Sequence, residues 1–150
     1  MIGRKMDRVV ELEDVPQSDT GVPAPRIYAT EQTLYLVYIV EHASEGEYAL
    51  VKFASPVAHT FGPPNDEALH GHRLYRRGLT HYSANEVFDS SWIRALVEMN
   101  SVHPRHDSRV SESWRHFVLA FHDSTFECIA KGYEVEKHKG VNSLPSFFVP

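Results

Sequence analysis

The chain has 150 residues, enough for one domain and too few for two ordinary ones. Hydrophobic residues make up 42% and charged residues 23%, which excludes a disordered chain, a coiled coil and a collagen-like fibre. Ten His accompany a formal net charge of −5, so protonation of every His would reverse the charge to +5. A modest acidic balance does not indicate a dedicated nucleic-acid binder.

The cellular location is predicted from what the sequence lacks. Cys128 is the only cysteine, so no disulfide can form within the chain. The first residues lack the apolar segment of a secretory signal, and the longest apolar run, residues 34–40, falls far short of the roughly 20 residues that span a membrane. We therefore expect a cytoplasmic protein without a membrane partner.

Pro and Gly divide the chain into three parts. Residues 1–25 are polar and predict a flexible N-terminal extension, with room for a short strand near Val9 and Val10. Residues 26–136 are expected to form one domain. Residues 137–150 form a C-terminal tail that is apolar enough to pack against it.

Three strands are predicted first, at 26–30, 33–40 and 48–54, with a polar hairpin loop between the last two. The middle strand is apolar on both faces, which is typical of a strand buried on both sides. Residues 55–82 are rich in Pro and Gly and predict a long loop with at most one helical turn near 67–69. Long loops in compact domains often carry function.

A helix is predicted over residues 84–100. Apolar side chains recur there at helical spacing: Phe88, Trp92, Leu96 and Met99. Ser83 with Glu86 fits a capping box at the start, while Asp89 and Ser90 offer a second start. The helix is expected to pack its apolar side on one face of a sheet.

A hairpin of strands 115–122 and 125–131 follows. With Asp123–Ser124 as its turn, Phe121 pairs with Phe126, and the opposite face carries polar side chains: His116, His122, Glu127 and Lys131. Asp-Ser is a poor two-residue turn, so a longer loop with a shifted register stays open. The elements together predict a single α+β domain with a mostly antiparallel sheet and one main helix.

Arg and His are concentrated in two loops, residues 61–82 and 102–116, each with a formal charge of +1, so the rest of the chain sums to −7. These loops hold six of the ten His, six of the ten Arg and no Lys. If the loops meet, they form a site for a small anionic ligand. Its predicted contacts are Arg73, Arg76, Arg77 and Arg105, oriented by His70, His72, His103 and His106.

The same four histidines, with Asp107 beside them, suggest a divalent metal and a metal-dependent hydrolase in which Glu67 or Asp107 is the general base. Their spacing matches no standard metal-binding signature, and the neighbouring Arg would repel a cation. No cofactor is firmly implied.

The turn residues His122 and Asp123, together with Glu127, are candidates for acid–base catalysis, with a predicted His122–Glu127 pair. Turn formation explains the same residue types more simply. A third function class, a protein–protein module of the immunity or regulatory type, would use a sheet edge or the apolar tail. The sequence leaves a homo-oligomer open.

Two stretches carry a resemblance to a known family. They are Gly62–His72 and Phe121–Cys128. With them, residues 26–136 resemble a family of small bacterial hypothetical proteins. No activity is attached to that family, so the resemblance implies a bacterial, stand-alone protein and no site residue.

Overall fold

The computed structural model describes residues 5–41 and 46–150, and these contain nine strands and one α-helix. Residues 42–45 of the predicted hairpin loop lie outside the described part. The elements are β1 (Arg8–Glu11), β2 (Arg26–Ala29), β3 (Leu34–Ile39), β4 (Glu47–Ala54), β5 (Ala58–Gly62), β6 (Ala84–Phe88), α1 (Ser91–Asn100), β7 (Arg115–Ala120), β8 (Thr125–Ala130) and β9 (Gly132–Lys139).

The strands form two antiparallel sheets. Sheet one has the order β1-β6-β7-β8-β5, and sheet two has the order β2-β3-β4-β9. The predicted α+β class with antiparallel pairing is confirmed, and the strands divide between two sheets.

The main core lies between the two sheets. Alternate residues of β3 and β4 meet alternate residues of β7 and β8, because successive side chains of a strand point to opposite faces. The ring of Phe53 lies 5.8 Å from that of Phe117 and 5.6 Å from that of Phe126. Cys128 is fully buried in the same layer, and burial raises the pKa of its thiol. This cysteine is therefore structural.

Each sheet is also covered on its outer face. The C-terminal tail places Leu144 and Phe148 on sheet two, against Val37 and Leu50. The tail thus packs against the domain, as its composition predicted. The loop after β5 covers part of sheet one with its buried leucines: Leu69, Leu74 and Leu79.

The predicted helix begins too early. Residues 84–88 form β6, which pairs with both β1 and β7, and Phe88 is exposed there instead of continuing the helical stripe. Ser83 does not cap a helix, because its hydroxyl donates to the carbonyl of Thr80. The helix starts after Ser90. Strand pairing on both sides of β6 outweighs the local helical pattern.

The long predicted loop contains a strand. Residues 58–62 form β5 at the edge of sheet one, and the Pro63–Pro64 pair ends it. The predicted helical turn lies within a 3-10 segment over residues 66–71. A second 3-10 segment ends at Gly78, whose φ is 116° and where a Cβ would lie 2.8 Å from the carbonyl oxygen of Val9. This turn therefore requires glycine.

Part of the predicted N-terminal extension is ordered as β1, which contains Val9 and Val10 and pairs with β6. The short strand expected there is confirmed, and the flexibility of the extension stays a prediction.

The hairpin register of β7 and β8 differs from the predicted one. Leu119 pairs with Phe126, and the amide of Phe121 donates to the carbonyl of Ser124. The turn residues are therefore His122 and Asp123, one position earlier than predicted. The pairing partner of each residue thus shifts by two positions, and because side chains alternate with a period of two, each side chain stays on its predicted face.

Candidate functional site

A buried polar cluster lies on the outer face of sheet one. His116 of β7 and Glu127 of β8 occupy diagonal positions on that face, because Glu127 pairs with Val118 and His116 pairs with Ile129. The loop after β5 and the first turn of α1 cover them. His116 is fully buried, and the side chain of Glu127 is 7% exposed.

The carboxylate of Glu127 accepts four hydrogen bonds. Its Oε1 atom accepts from Arg73 Nη2 at 2.9 Å and from His116 Nε2 at 2.8 Å. Its Oε2 atom accepts from Arg73 Nη1 at 3.0 Å and from His72 Nε2 at 3.1 Å. All four lone-pair directions of the carboxylate are therefore used.

The neighbours of the two imidazoles fix their tautomers. His72 Nδ1 accepts from the amide of Leu74 at 3.0 Å, so its proton sits on Nε2 and points to Glu127. His116 Nδ1 lies 2.7 Å from Ser90 Oγ, which accepts from the amide of Ile93 as the cap of α1. The Ser90 hydroxyl therefore donates to His116, which in turn donates to Glu127.

Glu127 and Arg73 form a neutral, charge-paired unit. Burial by itself would raise the pKa of Glu127, but the hydrogen bonds from His116, His72 and Arg73 together hold it well below its usual range. The bond to Glu127 raises the pKa of Arg73. Both groups are charged at neutral pH, and each is held in one orientation by the other.

A cavity of about 440 Å³ opens beside this pair, a size typical of small-molecule sites. Its lining residues are Thr60, Arg73, Ser91, Trp92, Ala95 and Glu127. Arg73 commits two of its five N–H groups to Glu127, and its side chain is 49% exposed. Glu127 therefore fixes this guanidinium at the cavity wall and leaves three of its N–H groups outside the pairing.

The start of α1 forms another part of the wall. Asp7 accepts from the amide of Ser91 at 2.6 Å and from its hydroxyl at 2.8 Å. This carboxylate stabilises the first turn of the helix and anchors the N-terminal segment beside the cavity. The ring of Trp92 packs edge-on against His116, with 5.3 Å between the ring centroids.

The Ser90–His116–Glu127 chain has the residue types of a hydrolase triad, but its geometry is that of a structural network. Ser90 is 6% exposed, its oxygen caps α1, and it is absent from the cavity wall. A nucleophile must reach a bound substrate. Ser90 instead connects the helix start to the buried carboxylate.

The two Arg/His-rich loops meet only in part. His72 and Arg73 from the first loop and His116 from the second bind the same carboxylate. Arg77 lies in a neighbouring groove with Lys5 and Arg94. The other two predicted contacts from the first loop, His70 and Arg76, are exposed and outside the cavity wall.

The remaining predicted residues lie at the opposite end of α1, which is about 15 Å long. His103 Nδ1 accepts from the backbone amide of Arg105, and His106 Nδ1 lies 3.4 Å from the side-chain nitrogen Nδ2 of Asn100. Asp107 binds its neighbour Arg109. These side chains do not reach the Glu127 cavity.

The four histidines predicted as metal ligands are thus divided between two places. Within residues 5–41 and 46–150, no group of three or more His, Cys, Asp or Glu side chains is arranged to hold a metal ion.

The predicted pairing of His122 with Glu127 is wrong, because the hairpin register places His116 next to that carboxylate. His122 Nδ1 lies 3.0 Å from Asp66 Oδ2, and its Nε2 lies 3.7 Å from Asp123. Tyr82 donates to the same Asp66 oxygen, which lowers the pKa of Asp66 and raises that of Tyr82. His122 and Asp123 therefore belong to a separate surface cluster.

The sequence contained a signal for part of this site. The alternation of the hairpin placed His116 and Glu127 on one face. Ser90, Thr60 and Trp92 were missed as site residues, because the helix start and β5 were misplaced.

Comparison with known proteins does not assign the chain to a family. No family model, no curated protein and no solved structure matches the chain. None of the helices in the described part of the chain has the length and apolarity to cross a membrane.

Proposed function

We propose that the protein binds a small organic anion in the cavity beside Arg73, with the acid group on the guanidinium and the apolar body against Trp92 and Ala95. The observation that carries the proposal is that Glu127 fixes Arg73 through two hydrogen bonds, while Arg73 lines a cavity of about 440 Å³ and keeps three N–H groups outside that pairing. A fixed arginine fork loses little entropy when it binds a carboxylate or phosphate.

The wall of the cavity favours an amphipathic ligand. Trp92 and Ala95 provide an apolar side, and the hydroxyl of Thr60 provides a polar contact. The charge of Glu127 is already compensated by four donors, so it does not exclude an anion as a free carboxylate would. Arg73 carries the positive edge that an acid group recognises.

Binding is tested by titrating benzoate and phenyl phosphate into the protein and following backbone amide signals by NMR. We expect saturable shifts confined to β5, the loop around Arg73 and the start of α1, with millimolar affinity. Benzamide, which has the same ring without the charge, should bind at least about tenfold more weakly, because it lacks the charge-assisted bond.

Three variants separate the site from general charge effects. Arg73→Lys keeps the charge but loses the fork and should weaken benzoate binding about tenfold. Ala95→Phe fills the cavity without touching the Arg73–Glu127 pair and should abolish binding. Arg76→Ala removes an exposed arginine of the same loop and should leave affinity unchanged. Benzoate binding that is unaffected by Ala95→Phe, or the absence of saturation, would overturn the proposal.

A further inference from the structure

Strand β5 forms one edge of sheet one, and its outer side is accessible. It pairs with β8 alone, and no hydrogen bond between described residues joins residues 58–62 to any other strand. The side chains of His59, Thr60 and Phe61 are exposed. An edge strand leaves a row of backbone N–H and C=O groups unpaired, so β5 presents such a row to another chain.

Strand β5 lacks the charges that protect the other edges. Charged side chains, Lys above all, normally keep an edge strand from pairing with another chain. Among the four edge strands formed by the described residues, β1 contains Arg8, β2 contains Arg26 and β9 contains Lys137, whereas β5 contains no Asp, Glu, Lys or Arg. Charge therefore does not oppose the addition of a strand at β5.

Two cavities lie beside this edge, on opposite faces of the strand. Thr60 pairs with Glu127, so its side chain lies on the outer face of sheet one, where it lines the cavity beside Arg73. His59 pairs with Cys128 of the main core, so its side chain lies on the inner face, where it lines another cavity of about 300 Å³. Because successive side chains of a strand point to opposite faces, a strand added along β5 directs neighbouring side chains toward the two cavities.

The 300 Å³ space, which we call the inner cavity, lies between β5 and the turn after β2. Its wall includes the exposed side chains of Ala29 and Val57 and one carboxylate, that of Glu31. Ala29 lies two positions after Ile27, which packs against the main core, so the side chain of Ala29 also points toward sheet one. The exposed part of this wall suits a small apolar side chain.

Arg73 indicates the chemistry of the occupant. Its guanidinium keeps three N–H groups outside the pair with Glu127, and a carboxylate is the acceptor that matches this fork. A second copy of this chain paired through β5 would bring only residues 58–62 to the edge, and none of these has a carboxylate. Charge complementarity therefore favours an acidic peptide over a second copy.

We propose that β5 binds an extended peptide by strand addition, with a Glu side chain of the peptide on Arg73 and the adjacent apolar side chain in the inner cavity. This inference rests on the proposed anion site and names its ligand as an acidic peptide. Backbone hydrogen bonds along β5 supply the affinity, and the two cavities select the side chains. The methylene groups of the Glu side chain take the place of the apolar body beside Trp92.

The test titrates the full chain with the peptide acetyl-Lys-Thr-Val-Glu-Val-Thr-Lys-amide and follows it by NMR. We expect saturable shifts of residues 58–62, with nuclear Overhauser contacts between the backbone protons of the peptide and those of β5. Gln in place of Glu removes the charge and should weaken binding at least about tenfold. Methylation of the backbone nitrogens of Glu and both Val residues keeps every side chain but removes the strand donors, and should abolish binding.

A variant of the inner cavity separates the peptide site from the anion site. Ala29→Trp fills the inner cavity from its exposed wall and should weaken binding of the Glu peptide about tenfold, while the affinity for benzoate stays unchanged. The matched control is Ala68→Trp, at an exposed alanine that lines neither cavity, and it should bind both probes as the unmodified chain does.

Benzoate binding without peptide binding would overturn this inference and leave the anion site standing, whereas the failure of both probes would overturn both proposals. Equal affinity for the Glu and Gln peptides, retained binding of the N-methylated peptide, or no effect of Ala29→Trp would also overturn it. Protection of the β5 amides from hydrogen exchange that rises with protein concentration, without peptide, would identify a second copy as the occupant and contradict the proposal.

Discussion

Two regions of this protein share a composition rich in Arg and His but differ in what surrounds them. Around Glu127, side chains from the loop after β5, from β7 and from β8 converge on one buried carboxylate. In the loop after α1, Asp107 binds Arg109 two positions away, and their side chains are 50% and 79% exposed. The first region is assembled by tertiary structure, and the second by local sequence alone.

The comparison teaches that charge composition does not identify a site unless the strand register brings the charges together. A buried carboxylate with four donors is strongly coupled to its partners, since removing it leaves donors without an acceptor in a low-dielectric place. An exposed pair is screened by water and contributes little to stability. Replacing Glu127 in the first region and Asp107 in the second measures how much each carboxylate contributes to the free energy of unfolding.

The largest effect is expected for Glu127→Ala. It leaves His116, His72 and Arg73 without their common acceptor and should lower the free energy of unfolding by about 3 kcal/mol. Urea denaturation followed by circular dichroism measures the loss. The matched variant Asp107→Ala should leave the denaturation midpoint unchanged. Comparable losses in the two variants would show that the Glu127 cluster is no more coupled than an exposed pair.

An acid-induced loss of stability is the next effect in size. Because the folded-state pKa of Glu127 is lowered, its stabilisation is fully present above the unfolded-state value near 4.5 and decreases as the pH falls below it. The loss has an upper limit of about 1.4 kcal/mol per pH unit for one proton. Denaturation midpoints measured from pH 6 to pH 3 should fall less steeply in Glu127→Gln than in the unmodified chain. If the midpoints of both proteins fell equally with pH, the lowered pKa of Glu127 would not be the source of the acid-induced loss.

A smaller effect is expected at the start of α1. Ser90→Ala removes the cap of the helix and the donor to His116, and should cost about 1 kcal/mol. Ser101→Ala, at the other end of the same helix, removes only an exposed hydroxyl bond to Glu98 and should cost less than about 0.5 kcal/mol. Thermal melts of the two variants compare the buried start of α1 with its exposed end. Equal decreases in melting temperature would contradict the role of Ser90 as helix cap and donor to His116.

Much of the fold could be predicted because hydrophobic alternation is a local signal. Residues 33–40 and the hairpin of β7 and β8 were recognisable from their side-chain patterns, and the faces of that hairpin were correct. The error at residues 84–88 has a physical cause, since β6 is stabilised by two distant partners, β1 and β7, that no local window contains.

For the Glu127 cluster, the sequence indicated the residue types, Arg and His, but not which of these residues come together. Arg73 and His72 were among the predicted ligands, but Arg105 and His103 were placed with them although α1 separates the two groups. A shift of the turn to His122–Asp123 moved the partner of Glu127 from His122 to His116. Such a shift depends on turn geometry and tertiary contacts, which composition does not report.

The pairing of β4 with β9 has a consequence for the order in which the molecule folds. Tyr48 of β4 lies opposite His138 of β9, so sheet two is completed only after β9, which lies far along the chain from β4, has been synthesised. Until then β4 presents an unpaired edge of backbone donors and acceptors to other chains. Because distant pairings slow folding, this edge stays open to association with other chains until β9 pairs with it.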